Sequence, residues 1–473
     1  MQNFQCAAIS QIKKWRIIHI MPLLVFMMGC TNQRNKTDQK TDSTLVRLII
    51  LDPGHFHAAL LQKTMNAEID STVSVFAPDG PELKSYLALI DKYNQRKDSP
   101  CSWKLDVYKG PDYLEKMLST KPGNVVVIAG NNRRKTDYIK QSVDAGLNVL
   151  ADKPMAIDRA GFDSLQQAFA DAKKNKVLLY DIMTERYEIT NILQKTFSQD
   201  SKVFGELKKG TLENPAIVFE SVHYFYKEVS GSPLVRPAWY FDVAQQGEGI
   251  VDVSTHMVDL VQWECFSDQL LDYKKDIQMI GAKHWATVLD PSQFRQVTKK
   301  EAYPDFLKKD IKDSLLQVYA NGEMDYTIKD VHTRVTVDWK YQAPEGTGDT
   351  YYSMLQGTKA NLIIRQGKEE QYKPVLYIEP VEKGNQKNWE QALQNSISKI
   401  QVQYPGIGIK KNAKGWLLII PDRYQEGHEQ HFALVVKKYL GYLQTNSIPD
   451  WEVSSMLAKY YTTTQALEKA NSK

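Results

Sequence analysis

Two segments of the sequence carry side chains that can move a proton to or from a substrate hydroxyl. Lys153 follows the apolar run at 148–151, and its ammonium group can donate hydrogen bonds to a substrate and take part in proton transfer. His256 lies shortly after Asp252 in a second segment that begins with glycines. A carboxylate can orient an imidazole and raise its basicity, as general base catalysis requires. We therefore predict a catalytic group of Lys153, Asp252 and His256.

The segment around His256 has the spacing of a helix with one polar face. Asp252, His256 and Asp259 stand at positions i, i+4 and i+7, which predicts that their side chains share one helical face. An aspartate in the first turn also suits the positive end of a helix. The alternative is a capping aspartate, a core histidine without a chemical role, and a surface lysine at 153.

The first predicted strand-to-helix turn has the sequence DPGHFH. A dinucleotide-binding turn has glycines that let backbone amides approach a pyrophosphate. Only Gly54 stands at such a position, so His55, Phe56 and His57 belong either to a degraded cofactor turn or to a plain connection. An acid that holds the adenosine ribose should end the second strand, and Asp79 follows that strand slightly late.

A parallel sheet would hold these residues at one edge. Between 45 and 183, short apolar segments alternate with helical ones, a pattern typical of βαβ crossovers and of an α/β doubly wound domain. Runs such as VVVIA are apolar throughout, which indicates strands covered on both faces. The predicted strands are 46–51, 73–76, 124–129, 148–151 and 177–182, and the predicted helices are 58–65, 81–96, 135–145 and 158–174.

Beyond residue 183 the strands have alternating side chains. This predicts an α+β domain over 184–445, built on an open, mostly antiparallel sheet. A final helix over 446–473 is expected to pack back on the first domain. The predicted strands are 217–224, 277–284, 314–318, 333–341, 360–364 and 416–420, and the predicted helices are 189–198, 253–265, 430–443 and 451–470.

The first residues resemble an export signal. Residues 12–30 have a basic start, a short apolar run and a small residue before a cysteine. The ending MMGC resembles a bacterial lipobox, which predicts a signal peptide over 1–29, lipid on Cys30 and a flexible tether over 30–44. The expected location is the periplasm, with the membrane contacted only through the lipid anchor. The alternative is a buried N-terminal helix with an incidental cysteine.

Composition and cysteine content limit the class of partner. Hydrophobic residues make up 42% and charged residues 25% of the chain, which excludes disorder as a whole. A net charge of +4 gives no general affinity for nucleic acid or an acidic membrane, so a small neutral molecule is expected. Cys101 and Cys265 form either one disulfide or two free thiols. The cysteines have no metal-ligand spacing, and we predict no metal site.

Several motifs occur in an order that identifies a family resemblance. Asp-Lys-Pro stands at 152–154, and a glycine-led Asp-x-x-x-His ends at His256. Further motifs in the same order are VVVIAGNN from Val125, Arg186-Tyr187, Arg236-Pro-Ala-Trp239 and Gly357-Thr-Lys. Over about 45–365 and the terminal helices, the sequence resembles the Gfo/Idh/MocA oxidoreductases. The resemblance implies a Rossmann domain joined to an open-sheet domain, and hydride transfer between NAD(P) and a sugar or related polyol.

The resemblance also implies roles for individual residues. Lys153 would bind substrate and relay a proton, His256 would be the acid/base, and Asp252 would contact both the substrate and His256. Arg186 is predicted to contact substrate. Apart from the resemblance, the aromatic residues His223, Tyr224, Trp239 and Tyr240 either contact a sugar, whose C–H surface suits ring faces, or are ordinary core residues. Cofactor contacts are predicted for Gly54, His55, Phe56, His57, Asp79, Asn131, Asn132, Asp152 and Lys153.

Three departures from the family pattern affect the cofactor more than the catalytic residues. Asp152 replaces a glutamate, Lys135 stands where many members keep a histidine, and the glycine turn is degraded. No basic residue follows Phe76, which favours NAD and leaves NADP open.

These features favour an oxidoreductase with tightly bound NAD that acts on a ring hydroxyl of a sugar or glycoside, with C3 as the expected position. An exported protein meets no free nicotinamide pool, so its cofactor would stay bound and be reset by a second ketosugar or another acceptor. One alternative is redox-neutral glycoside cleavage by transient oxidation and elimination. Another is a non-catalytic sugar-binding lipoprotein. The resemblance further suggests a homodimer.

Overall fold

The computed structural model describes residues 45–229, 232–382 and 387–472. The predicted signal peptide, Cys30 and the tether lie outside these residues. Cys101 and Cys265 are both free thiols, so of the two states left open by the sequence, the unpaired one is found. Among the described helices, none is both long and apolar enough to cross a membrane.

The first part of the described chain alternates strands and helices, as predicted. Its elements are β1 (Leu48–Leu51), α1 (His57–Leu60), β2 (Thr72–Ala77), α2 (Pro81–Gln95), β3 (Lys104–Lys109), α3 (Tyr113–Thr120), β4 (Val125–Ile128), α4 (Lys135–Asp144), β5 (Asn148–Asp152), α5 (Arg159–Asn175) and β6 (Leu179–Ile182).

The six strands form a parallel sheet in the order β3-β2-β1-β4-β5-β6. β1 and β4 lie at its centre and are buried along their whole length, because LIIL and VVVI present apolar side chains to both faces. The strand order reverses between β1 and β4, and sheets of this kind bind ligands beyond the carboxyl ends of strands at that point. The prediction of a doubly wound Rossmann sheet is confirmed.

The sequence prediction omitted β3 and overestimated α1. β3 has the sequence KLDVYK and lies at the edge of the sheet, where one face contacts solvent. Its alternating polar side chains therefore lack the continuous apolar run that identified the central strands. The helix predicted at 58–65 is a single turn.

The second part of the chain begins with a helix and continues with a large sheet. Its elements are α6 (Ile189–Ser198), β7 (Ile217–Tyr226), β8 (Glu228–Val229), β9 (Ser232–Pro233), α7 (Val243–Gln246), α8 (Ser254–Cys265), α9 (Tyr273–Asp276), β10 (Ile277–Leu289), α10 (Pro291–Thr298), β11 (Ile311–Lys312), β12 (Leu315–Ile328), β13 (Val331–Gln342), β14 (Thr350–Gln356), β15 (Ala360–Gln366), β16 (Val375–Pro380), α11 (Lys387–Gln403), β17 (Gly408–Lys411), β18 (Trp416–Ile419), α12 (His428–Thr445) and α13 (Asp450–Asn471).

The second sheet is open and mostly antiparallel, as predicted. Its strands follow the order β10-β12-β13-β7-β14-β15-β16-β18-β17, and β11 pairs with β12. β7 and β13 are paired in parallel, and the chain between them, which includes α8 and β10 to β12, is the long connection that a parallel pair requires. The elements not predicted from the sequence are the strands β8, β9, β11, β14, β16 and β17 and the helices α7, α9, α10 and α11.

Of the two C-terminal helices, α12 packs differently from the prediction, whereas α13 packs on the first part as predicted and also on the second. α12, assigned from the sequence to the second domain, contributes Phe432, Val435 and Tyr439 to the core around the first sheet. α13 contacts α5 of the first sheet's helical layer as well as α8 and β10 of the second part. Helical periodicity predicts that a helix has an apolar face but not which sheet that face covers, so the predicted boundary at 445 does not match the packing.

Candidate active site

Lys153 follows β5 directly, at the carboxyl edge of the parallel sheet. Its Nζ atom donates a hydrogen bond to Asp252 Oδ1 at 2.7 Å, and the side chain is 14% exposed. Burial disfavours the charged form, but the carboxylates of Asp252 and Asp152 outweigh it and raise the pKa of Lys153. Lys153 is therefore a charged and mostly buried ammonium group at the carboxyl edge of the parallel sheet.

Asp252 lies in a turn that a glycine allows to approach β12 closely. A Cβ atom at Gly249 would lie 1.7 Å from the carbonyl oxygen of Ala320, so no other residue fits there without moving the backbone. The Asp252 carboxylate accepts hydrogen bonds from Lys153 and, at 2.9 Å on Oδ2, from Gln246 Nε2. These contacts join the turn before α8 to the end of β5.

The predicted shared face of Asp252, His256 and Asp259 is not found. α8 begins at Ser254, after Asp252, and the Asp252 carboxylate binds Lys153 in place of His256. Asp259 accepts hydrogen bonds from Arg186 and Lys459. The i, i+4, i+7 spacing predicts a shared face only if one helix contains all three residues. Here the glycine turn precedes the helix, which begins only at Ser254.

His256 is a neutral imidazole close to Lys153. Burial and then the Lys153 charge hold the pKa of His256 well below its usual range. Its Nδ1 atom is buried and has no hydrogen-bond partner among the described residues. The imidazole is thus uncharged, mainly because it is buried, and its Nδ1 atom is not used by any other described residue.

The loop after β4 is bound to the segment that precedes Asp252. Asn131 Nδ2 donates to Gln245 Oε1 at 2.7 Å, and Asn132 Nδ2 donates to the Gln246 carbonyl at 2.7 Å. Both asparagines were predicted to contact cofactor. Asn132 is buried and serves this connection, whereas Asn131 remains partly exposed at the edge of the crevice.

Arg186 does not line the crevice, in contrast to its predicted contact with substrate. Its guanidinium donates two hydrogen bonds to Asp259, both at 2.6 Å, and one to Glu452 at 2.8 Å. Lys459 Nζ contacts Asp259 at 2.8 Å and Asp181 at 2.6 Å. All five side chains are 5% exposed or less. This buried ion network joins β6, α8 and α13, and it fixes the helix that carries His256.

The predicted aromatic substrate residues separate into two groups. His223 and Tyr224 are consecutive on β7, so their side chains point to opposite faces of the sheet, and they cannot both line one cleft. The His223 ring lies 5.0 Å from that of Trp339, which in turn lies 6.1 Å from the ring of Tyr240. Trp239 is half-buried beside Tyr240.

Tyr240 connects this aromatic group to the catalytic pair. Burial raises the pKa of Tyr240 to about 12, and the charges of Asp252 and Lys153 also act on it. Trp339 was not predicted from the sequence; it stands in β13 directly opposite His223 in the parallel pairing.

The first strand-to-helix turn contacts Asp152. His55 Nδ1 and His57 Nδ1 each lie 3.0 Å from Asp152 Oδ2. His57 Nε2 lies 2.7 Å from Nε2 of His428, at the start of α12. Although burial opposes it, the two imidazoles hold the pKa of Asp152 well below its usual range. Lys135 is buried nearby and its Nζ donates to the Lys153 carbonyl at 3.4 Å.

The same turn retains the features that NAD(P) needs from the backbone. A Cβ at Gly54 would lie 3.3 Å from Gly130 Cα, so two glycines let the loops after β1 and β4 approach closely. The amides of Gly54 and His55 donate to the Ala129 carbonyl, and those of Phe56 and His57 have no acceptor among the described residues. Two free amides at the start of α1 suit a phosphate. Asp79 is exposed just beyond β2, where an adenosine ribose would lie.

Two protein-family models match the chain. Residues 54–180 match the model described as "Oxidoreductase family, NAD-binding Rossmann fold", that of the Gfo/Idh/MocA proteins. Residues 193–471 match the "Putative oxidoreductase C terminal domain". The two matches divide the chain near the end of β6, where the structure passes from the parallel sheet to α6.

Solved structures share the fold. A putative oxidoreductase from Parabacteroides merdae is 51% identical, with 91% of this chain and 98% of that chain covered and a TM-score of 0.89. A putative oxidoreductase from Erwinia carotovora is 13% identical, with coverage of 90% and 99% and a TM-score of 0.57. KijD10, a 3-ketoreductase from Actinomadura kijaniata in complex with NADP, is 13% identical, with coverage of 90% and 97% and a TM-score of 0.53. The last two show the fold alone.

Proposed function

This chain belongs to the Gfo/Idh/MocA oxidoreductase family and is an NAD(P)-dependent oxidoreductase; we propose that it oxidises a ring hydroxyl of a sugar or glycoside at C3 with tightly bound NAD. The observation that supports the chemistry is the Lys153–Asp252 pair beside a neutral His256. Lys153 would supply positive charge where an alkoxide forms, and His256 can accept the hydroxyl proton.

The electrostatics divide the two roles that the sequence left shared between Lys153 and His256. Lys153 keeps its proton because Asp252 and Asp152 raise its pKa, so it donates a hydrogen bond to the substrate oxygen. His256 is uncharged and its Nδ1 atom has no partner among the described residues, so we assign it as the acceptor of the hydroxyl proton. NAD(P), when bound, accepts the hydride that leaves the carbinol carbon.

Gly54, the amides of Phe56 and His57, and Asn131 would hold the cofactor. The amides would donate to the phosphates, and Asn131 would lie near the nicotinamide ribose, as the family resemblance implies. NAD is proposed over NADP because the exposed side chain beyond β2 is the acid Asp79, which would accept from a ribose hydroxyl and repel a 2′-phosphate.

The aromatic group beside the catalytic pair supports a sugar as substrate. The charges of Lys153 and Asp252 act on Tyr240, and the Tyr240 ring packs with Trp339, which packs with His223. Aromatic rings suit the apolar C–H surface of a pyranose. The shared fold with a 3-ketoreductase is consistent with reaction at C3. Export through 1–29 and lipid attachment at Cys30 also remain part of the proposal, as does homodimer formation. An exported protein would require that its cofactor stay bound.

The direct test of tight binding is the dinucleotide content of the purified protein. We expect about one equivalent of NAD(H) in the supernatant after the protein is denatured, without any added cofactor. Gly54→Val should abolish this content, because the side chain would enter the close contact with Gly130. Gly281→Val is the matched control, since a Cβ there meets nothing within 4 Å, and it should retain the dinucleotide.

Product analysis then distinguishes the remaining functions. Net oxidation yields a ketosugar and reduced cofactor, whereas redox-neutral cleavage yields a free reducing sugar and its aglycone. A protein that binds sugar but neither contains nor takes up dinucleotide would contradict the proposal and favour a sugar-binding lipoprotein.

A further inference from the structure

Two histidines and an aspartate meet at the turn where most dinucleotide-binding proteins have glycines. His55 Nδ1 and His57 Nδ1 each lie 3.0 Å from the same carboxylate oxygen of Asp152. The three potential ligand atoms all lie within 4.8 Å of one another. Neighbouring ligands of a tetrahedral ion bound at about 2.0–2.1 Å are separated by about 3.3 Å, so each imidazole is already close to the required distance from Asp152, and binding an ion would need only the two imidazoles to adjust relative to each other.

Asp152 has a second oxygen that the protein leaves without a partner. The residue is 3% exposed, and its Oδ1 atom is buried and accepts no hydrogen bond from any described residue. A buried carboxylate oxygen without a partner costs free energy, because it has lost its hydration. A cation bound by this carboxylate would remove that cost.

His428 can hold His57 in the tautomer that a metal requires. The Nε2 atoms of the two rings are 2.7 Å apart, so one of them carries the proton and the other accepts it. If His57 Nε2–H donates to His428, the lone pair of His57 Nδ1 faces Asp152. Metal-bound histidines are commonly oriented in this way through their second ring nitrogen.

The neighbouring positive charge does not prevent cation binding. Asp252 neutralises the Lys153 ammonium at 2.7 Å, and the Nζ of the other neighbouring lysine, Lys135, donates to the Lys153 carbonyl and not to Asp152. The Asp152 carboxylate is therefore available to His55 and His57, which are neutral ligands when they bind a metal.

We propose that His55, His57 and Asp152 bind a divalent transition-metal ion, with His428 as the residue that positions His57. Two imidazole nitrogens and one carboxylate suit Zn²⁺, Fe²⁺ or Mn²⁺ better than Mg²⁺ or Ca²⁺, which prefer oxygen ligands. Three protein ligands leave at least one coordination position open, as in metal sites that bind a substrate or water. The sequence predicted no metal site, because the His-x-His spacing was assigned to the cofactor turn and Asp152 lies far from it in the chain.

Co²⁺ and Zn²⁺ titrations of the protein test this site directly. The full chain, purified without a histidine tag and stripped with a chelator, should bind one Co²⁺ with a visible d–d spectrum of nitrogen and oxygen ligation. Zn²⁺ should compete for it and raise the thermal unfolding midpoint. His55→Gln and His57→Gln should each weaken Zn²⁺ binding by about 100-fold or more. His55 is partly exposed, so His55→Gln should fold normally.

Two comparisons separate ligation from structural effects. His332→Gln removes a half-buried histidine of β13 and should leave Zn²⁺ affinity unchanged. His428→Gln keeps an acceptor for His57 and should retain more affinity than His428→Ala, with about a 10-fold difference. A wild-type protein that retains no stoichiometric Co²⁺, or a His55→Gln/His57→Gln variant that binds it as tightly, would overturn the proposal.

Discussion

Lys153→Ala should lower kcat by about 100- to 10,000-fold, because the substrate oxygen loses the charge and hydrogen bond that stabilise it in the transition state. The ammonium group is held by Asp252 at 2.7 Å, and its charge acts on His256. Steady-state rates with the bound cofactor, measured with the oxidisable sugar, give the value.

Chemical rescue distinguishes this role from a structural one. Ethylamine added to Lys153→Ala should restore part of the lost rate, since a small amine can occupy the space left by the side chain. Asp252→Asn should also lower the rate, through the position of Lys153. Wild-type turnover in Lys153→Ala and in His256→Ala would show that the site has been assigned incorrectly.

Arg186→Met should destabilise the protein by about 3–5 kcal/mol, because it leaves Asp259 and Glu452 buried without their principal partner. Both carboxylates are 1% exposed, so water cannot replace the lost guanidinium. Urea unfolding at neutral pH measures the change in the free energy of unfolding. Lys209→Met is the control, since Lys209 and Asp330 form a pair that is 71% and 82% exposed, and it should cost less than about 1 kcal/mol.

The same variant tests the correction to the sequence prediction. If Arg186 contacted substrate, Arg186→Met would raise KM and leave stability nearly unchanged. If Arg186→Met lost less than about 1 kcal/mol of stability and had a raised KM, the assignment of Arg186 to the buried ion network would be wrong.

The central strands could be predicted because their side chains report burial directly. VVVI and LIIL are apolar at every position, which only strands covered on both faces require. β3 is an edge strand with polar residues, so it lacks the continuous apolar run that identified the central strands. α12 was predicted as a helix, but its place against the first sheet depends on contacts that periodicity does not contain.

In the candidate site, too, local features could be predicted from the sequence and contacts between distant elements could not. Lys153 and His256 were identified because each follows a local signal, a strand end in one case and a glycine-led helix in the other. The contacts among them were not: Asp252 binds Lys153, and His428 reaches His57 across 371 residues of sequence. Such pairings arise from the packing of distant elements, and only a histidine at the start of α12 marks one of them in the sequence.

The transfer of deuterium from sugar to cofactor tests the central claim most directly. A glycoside with deuterium at C3 is incubated with the holoprotein, and the dinucleotide is then recovered and its mass measured. If Lys153 and His256 act on the C3 hydroxyl over the nicotinamide, NADH one mass unit heavier should form in the wild type and be nearly absent in Lys153→Ala. Deuterium that stays in the sugar, or NADH that carries none while product forms, would contradict the account.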